Sequence, residues 1–186
     1  MAIKEKFRLL GVDPGSNVLG YAIIEVENKA IKLLDMGAIN MRSFQEQQHK
    51  LKKIFEDLQL IIGQFQPKEM AIEAPFYGNN VQSMLKLGRA QGVAIAAAIT
   101  KGVAITEYSP KKIKQAVTGN GNASKEQVAA MLKNILKQDI DSQSLDATDA
   151  LATVICHYFQ SDTVLGKGGN YKDWSAFIKD NPQRKG

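Results

Sequence analysis

Along the first forty residues the apolar side chains come in short β-type runs separated by turn formers. Phe7 to Val12 (FRLLGV) stops at Asp-Pro-Gly-Ser, which reads as a buried strand entering a tight turn with Asp13 at its end. Leu19 to Val26 (LGYAIIEV) resumes the pattern, and after the polar Glu27-Asn28-Lys29 a third segment, Ala30 to Ile39, follows. Three strands joined by turns predict an antiparallel meander. From Gln45 the spacing changes: Leu51, Ile54, Phe55, Leu58, Ile61, Ile62 and Phe65 recur at three and four residues, one face of a helix that ends near Pro67. Glu69 to Glu73 (EMAIE) predicts a short strand closed by Ala74-Pro75, so a second acid falls at a strand end. Val81 to Thr100 has helical spacing, in which Gly88 and Gly92 lower the propensity and predict close packing against a neighbour.

Val103 to Tyr108 predicts a further strand, and Pro110 fits the first turn of a short helix reaching Val117. Gly119-Asn120-Gly121-Asn122 is a turn, Ser124 to Lys137 a helix, and a last helix starts near Leu145 or Asp146 and runs to about Phe159. Strands that first cluster and then alternate with helices predict an α/β fold, a mixed central sheet with helices on its faces. The chain of 186 residues suits one domain, expected over residues 1–160, with residues 161–186 forming a polar, flexible tail.

Composition narrows the function little. An apolar fraction of 44% and a charged fraction of 23% are those of an ordinary globular protein. No apolar run approaches the ~20 residues of a membrane span, and the start MAIKEKFRLLGVD lacks a signal-peptide core, so a cytoplasmic location is expected. The lone Cys156, flanked by Val154 and Ile155, reads as a buried thiol. A net charge of +5 and a pI near 9.2 favour an anionic partner, nucleic acid among them, although lysines on an ordinary solvated surface give the same numbers.

The acids carry more information. Asp13, at the tip of a buried strand and before a glycine turn, suits a metal ligand, but Asp-Pro-Gly also makes an Asx-type turn in any protein. Glu73 could equally be a solvated strand end. Asp146 and Asp149, three positions apart, share one helical face, near enough to share a cation; they could also be a helix N-cap and the acid that completes its first turn. Four carboxylates brought together would repel one another, on the order of 3 kcal/mol per pair ~6 Å apart at an effective dielectric near 20. Such a cluster calls for divalent cations or displaced pKa values. Oxygen donors without clustered His or Cys favour Mg2+ or Mn2+, and two such ions could activate water and stabilise the leaving oxygen of a phosphodiester.

Four segments, GVDPGSNVLGYAIIE, AIEAPFYGNNVQSMLKLGRAQGVAIAAA, YSPKKIKQAVTGNGNASKEQV and DATDALATVICH, taken in order, make the chain over roughly residues 7 to 160 resemble the RuvC family of Holliday-junction resolvases. The resemblance implies a ribonuclease H-like fold. It implies that Asp13, Glu73, Asp146 and Asp149 are catalytic metal ligands for Mg2+, two ions per site with Mn2+ able to substitute. A homodimer is implied as well, nicking opposed strands of a four-way junction symmetrically, with the RuvA–RuvB branch-migration complex as partner. The helix beginning near Asn79, with Gly88, Ala90 and Gly92, is a candidate subunit contact; ordinary packing on the sheet is the alternative. Phe76, assisted by Tyr77, matches an aromatic wedge that stacks on unpaired bases, though Ala74-Pro75 is a variation near that motif. Lys114 and Lys125 match basic residues beside the scissile phosphate, whereas Lys111 and Lys112 fit a solvated surface.

Other classes fit less well. Asp-x-Gly after a strand also resembles the phosphate loop of sugar-kinase and actin-like ATPases, but a second such loop and an adenosine loop are not found. A DNA-binding module that does not cut predicts a lost acid, and all four are in place. Within nucleases, the alternative is a ribonuclease H-like enzyme acting on other RNA or DNA structures.

Overall fold

The computed structural model describes residues 6–75, 80–140 and 145–165. Ten elements follow in the order β1 (Lys6–Asp13), β2 (Val18–Glu27), β3 (Ala30–Asn40), α1 (Gln47–Phe65), β4 (Glu69–Glu73), α2 (Val81–Ile99), β5 (Ala104–Tyr108), α3 (Pro110–Thr118), α4 (Lys125–Leu136) and α5 (Leu145–Leu165). The strands form one sheet in the order β3-β2-β1-β4-β5. The predicted meander is present, β1 to β3 being antiparallel, and β4 and β5 run parallel to β1. Asn28 and Lys29 both have positive φ, 52° and 67°, which gives the β2–β3 hairpin the twist of its flanking strands.

Strand β1 is central, and Leu9, Leu10 and Val12 are all buried, because helices cover both faces. Alternation along the strands sorts side chains between two cores. Leu10, Val12, Leu19, Ile23, Met70 and Ile72 pack with Ile54, Leu58 and Ile62 of α1 and with the alanines of α2. On the opposite face Leu9, Ala22, Ile24 and Ala71 pack under α3, α4 and α5. Burying the dozen largest enclosed side chains contributes about 1.5–3 kcal/mol each, which is what holds helices to both faces.

Two expectations need correction. Helix α5 runs to Leu165, six residues past the expected end near Phe159, since nothing in Gln160-Ser161-Asp162-Thr163-Val164 breaks a helix as Pro or Gly would. Residues 166–186 lie outside the described residues. Gly88 and Gly92 do not pack against other described residues: a Cβ added at either would meet nothing within 4 Å among them. Ala90, between them, is buried, so the helix turns its small residues both ways. No helix among the described residues is long and apolar enough to cross a membrane.

Candidate active site

Strand β1 delivers Asp13 to the C-terminal end of the central strand, and the turn after it is closed so tightly that a Cβ at Gly15 would overlap the Val18 carbonyl oxygen. Strand β4 delivers Glu73. The last paired residues of the parallel β1–β4 ladder are Val12 and Ile72, so Asp13 and Glu73 stand one step beyond, side by side. Alternation sets their common side: Asp13 has the parity of Leu9, and Glu73 that of Ala71, both in the core beneath α5. Glu73 is opposite Tyr108 of β5, whose carbonyl accepts the Ala74 amide at 2.8 Å and so holds the chain as it leaves the strand.

Asp146 and Asp149 come from the first turns of α5. The helix begins at Leu145, so Asp146 lies inside the helix and is not its N-cap. Two glycines let α5 lie flush on the sheet. A Cβ at Gly11 would overlap the Ala150 carbonyl and stand 2.8 Å from the Val154 Cβ, and one at Gly20 would overlap the Asp146 carbonyl. Gly20 is also the Cα partner of Asp13. An isolated glycine inside the strand pattern LGYAII is the sequence signal for that close approach.

The four acids feel one another. Asp13 is pushed from 3.8 up to about 8, first by burial, then by Glu73, Asp149 and Asp146, with Lys125 opposing. Glu73 is pushed from 4.5 up to about 7, first by burial and then by Asp149, with Lys125 and Lys114 opposing. Lys125, at the first position of α4, donates to Asp149 at 2.6 Å, and that hydrogen bond is the main reason its own pKa is raised. A cation at the positive end of a helix is unfavourable by a few tenths of a kcal/mol, which the carboxylate offsets. The helix start itself is firm, because Ser124 and Gln127 form a reciprocal capping box.

Lys114 is half-buried on α3, within electrostatic reach of Glu73. Lys112 lies over the Tyr108 ring at 5.4 Å, and Lys111 is exposed beside Gly121. Phe76 and Tyr77 lie outside the described residues. Among the described residues no three Asp, Glu, His or Cys side chains stand close enough, as placed, to share one ion. The donor set is nonetheless all carboxylate oxygen, and burial first, then repulsion from the neighbouring acids, raises the pKa of Asp13 and Glu73; a hard divalent cation fits oxygen donors and opposes that repulsion. Cys156 is fully buried, its thiol pushed up to about 11 by burial, and takes no part.

One group was not singled out from the sequence. His157 of α5 is 3% exposed and bonds Tyr108 at 2.9 Å and Glu69 at 3.0 Å. A histidine inside the apolar run VICHYF was the only local sign of it.

The family model described as Crossover junction endodeoxyribonuclease RuvC matches residues 9–157. A protein of that name from Cytophaga hutchinsonii is 58% identical over 177 residues, covering 95% of this chain and 86% of the relative. One from Porphyromonas gingivalis is 49% identical, covering 99% of both. The solved structure of Thermus thermophilus RuvC in complex with a Holliday junction substrate superposes with a TM-score of 0.80 at 28% identity, covering 85% of this chain and 96% of that one. A family match that spans all four acids, with relatives this similar over nearly the full length, shows that the chain belongs to the RuvC family of crossover junction endodeoxyribonucleases.

Proposed function

We infer that this chain is a structure-selective endonuclease that resolves Holliday junctions by paired symmetric nicks, hydrolysing DNA phosphodiesters in recombination and repair. What supports the reading is the electrostatic coupling of Asp13 to Glu73, Asp146 and Asp149, from the ends of β1 and β4 and the start of α5, in a chain of this family.

These four carboxylates are the ligands we assign to Mg2+, two ions per site, with Mn2+ able to substitute. A divalent cation there supplies positive charge that lowers the pKa of water and stabilises the leaving oxygen. The chain's own residues do the rest. Asp13 and Glu73 hold protons near neutrality and release them when positive charge arrives, because the burial and repulsion that raised their pKa values are then opposed. Lys125, already bound to Asp149, and Lys114, near Glu73, are the cations assigned to the scissile phosphate, where they hold it by charge without reading sequence. Phe76 and Tyr77, three and four residues after Glu73 in the chain, are assigned to stacking on junction bases.

Paired nicks need two sites, and the outer face of α2 supports a homodimer. Val81, Leu85, Gly88, Gly92 and Ile99 recur at three, four or seven residues and are all exposed. A second copy laid along this stripe would bury it and relate two sites by a two-fold axis. The RuvA–RuvB branch-migration complex is the partner assigned on the junction.

The deciding experiment is cleavage of a synthetic four-way junction beside a linear duplex of the same sequence, with Mg2+ or with chelator. Symmetric cutting of the junction alone, and only with metal, is expected; equal cutting of both substrates would remove the resolvase reading.

A further inference from the structure

Two of the sequence segments singled out above end in residues that the cleavage chemistry leaves unused: Tyr108, which opens YSPKKIKQ, and His157, which closes DATDALATVICH. The structure joins them. The imidazole of His157 touches the Tyr108 hydroxyl through Nδ1 at 2.9 Å and the Glu69 carboxylate through Nε2 at 3.0 Å. With Nε2–H donating to the Glu69 carboxylate and Nδ1 accepting from the Tyr108 hydroxyl, one tautomer of the ring satisfies both neighbours. The Tyr108 and His157 rings also meet edge-on, with centroids 5.8 Å apart.

The three residues come from β4, β5 and α5, which also carry or hold three of the four acids. Glu69 opens β4 and Glu73 closes it, a span of about 13 Å. His157 lies eight residues beyond Asp149 on the same face of α5, a span of about 12 Å. Helix and strand are therefore matched rulers: when His157 meets Glu69 at one end, Asp149 is brought to Glu73 at the other, where their repulsion is felt. Tyr108 ties the third element, since its hydroxyl holds His157 while its carbonyl holds the Ala74 amide next to Glu73.

We propose that Glu69, Tyr108 and His157 form a positioning clamp that sets the register of α5 along β4 and β5, and thereby the spacing between Glu73 and the Asp146–Asp149 pair on which divalent-cation affinity depends. A slip of one helical turn would move Asp149 by about 5.4 Å, enough to separate it from Glu73. None of its three residues is among the acids assigned to the metal. It rests on the nuclease reading above, and deepens it.

The test measures Mn2+ binding to the full chain by calorimetry, without DNA, alongside Mn2+-dependent junction cleavage. His157→Leu keeps the volume and loses both polar contacts; Tyr108→Phe loses only the hydroxyl and covers the case in which the first variant does not fold. Leu136→Ala, in the same core but on α4, which carries no clamp residue, serves as a control of lowered melting temperature. Dissociation constants for Mn2+ raised about tenfold in the clamp variants are expected, with kcat falling at saturating DNA and KM for the junction unchanged. Glu69→Gln, whose amide oxygen still accepts from Nε2, should bind Mn2+ like the wild type. Wild-type affinity in both clamp variants, or an equal loss in Leu136→Ala, would overturn the proposal. Wild-type protein that binds no Mn2+ and cuts no junction would instead overturn the nuclease reading itself, and the clamp with it.

Discussion

Gly20 of β2 lies against the backbone of Asp146: a Cβ on Gly20 would overlap the Asp146 carbonyl oxygen and stand 3.0 Å from the Ala147 amide nitrogen. Because Gly20 is also the ladder partner of Asp13, one missing side chain brings two of the four acids, 133 positions apart in sequence, to the same edge.

Gly20→Ala is therefore expected to lift the start of α5 from the sheet. Overpacking of this kind costs about 1–3 kcal/mol, measurable as a lower denaturant midpoint. The larger effect falls on chemistry, since displacing catalytic groups by about 1 Å costs on the order of a hundredfold. Single-turnover cleavage down by that factor with junction affinity preserved is the expected result; cleavage at the wild-type rate would mean that α5 tolerates the shift.

Asp149→Asn keeps shape and hydrogen bonding and removes one negative charge. Cleavage at saturating junction should fall at least about a hundredfold, while a gel-shift assay in chelator shows binding as tight as before or tighter. Lys125→Ala should lower the cleavage rate with little effect on melting temperature, since the lysine side chain is 58% exposed and such pairs add little to stability. Asp149→Asn cutting at the normal rate would remove it from the ligand set.

The raised pKa values predict an unusual pH dependence for metal-free protein. The unfolded chain gives up the Asp13 and Glu73 protons near pH 4, whereas the folded chain holds them to about 8 and 7. Between those limits the folded state binds more protons, so its stability falls as pH rises: the contribution is complete below about pH 4 and gone above about pH 8. Each decade costs about 1.4 kcal/mol per group. In chelator, Asp13→Asn should flatten this slope and raise the melting temperature at pH 8 by about 10 °C or more. Divalent-cation binding should release protons near pH 7 and tighten toward pH 8, which calorimetry in two buffers of different ionisation enthalpy reads directly.

Leu85 is 52% exposed on the outer stripe of α2, so Leu85→Glu should leave the fold and its melting temperature close to wild type while adding charge to the proposed contact. Sedimentation should show monomer at concentrations where the wild type is dimeric, and supercoiled cruciform plasmid should be nicked on one strand instead of being linearised. A Leu85→Glu dimer of unchanged strength would move the interface elsewhere.

Every strand and helix among the described residues was legible in the chain because each is a local matter: short apolar runs closed by turn formers in FRLLGV and EMAIE, a period near 3.6 from Leu51 to Phe65, and Pro or Gly at the joints. The acids were legible too, as polar residues at the ends of apolar runs, although Asp146 taken alone read equally well as a helix cap. What local pattern could not contain was adjacency. That β4 lies beside β1, that α5 crosses Gly11 and Gly20, and that His157 reaches both Tyr108 and Glu69 depend on which remote surfaces fill each other's gaps. Periodicity tells a segment which side to bury and nothing about what will bury it. Packing two helical layers onto one twisted sheet decided that, and with it the distances on which the chemistry rests.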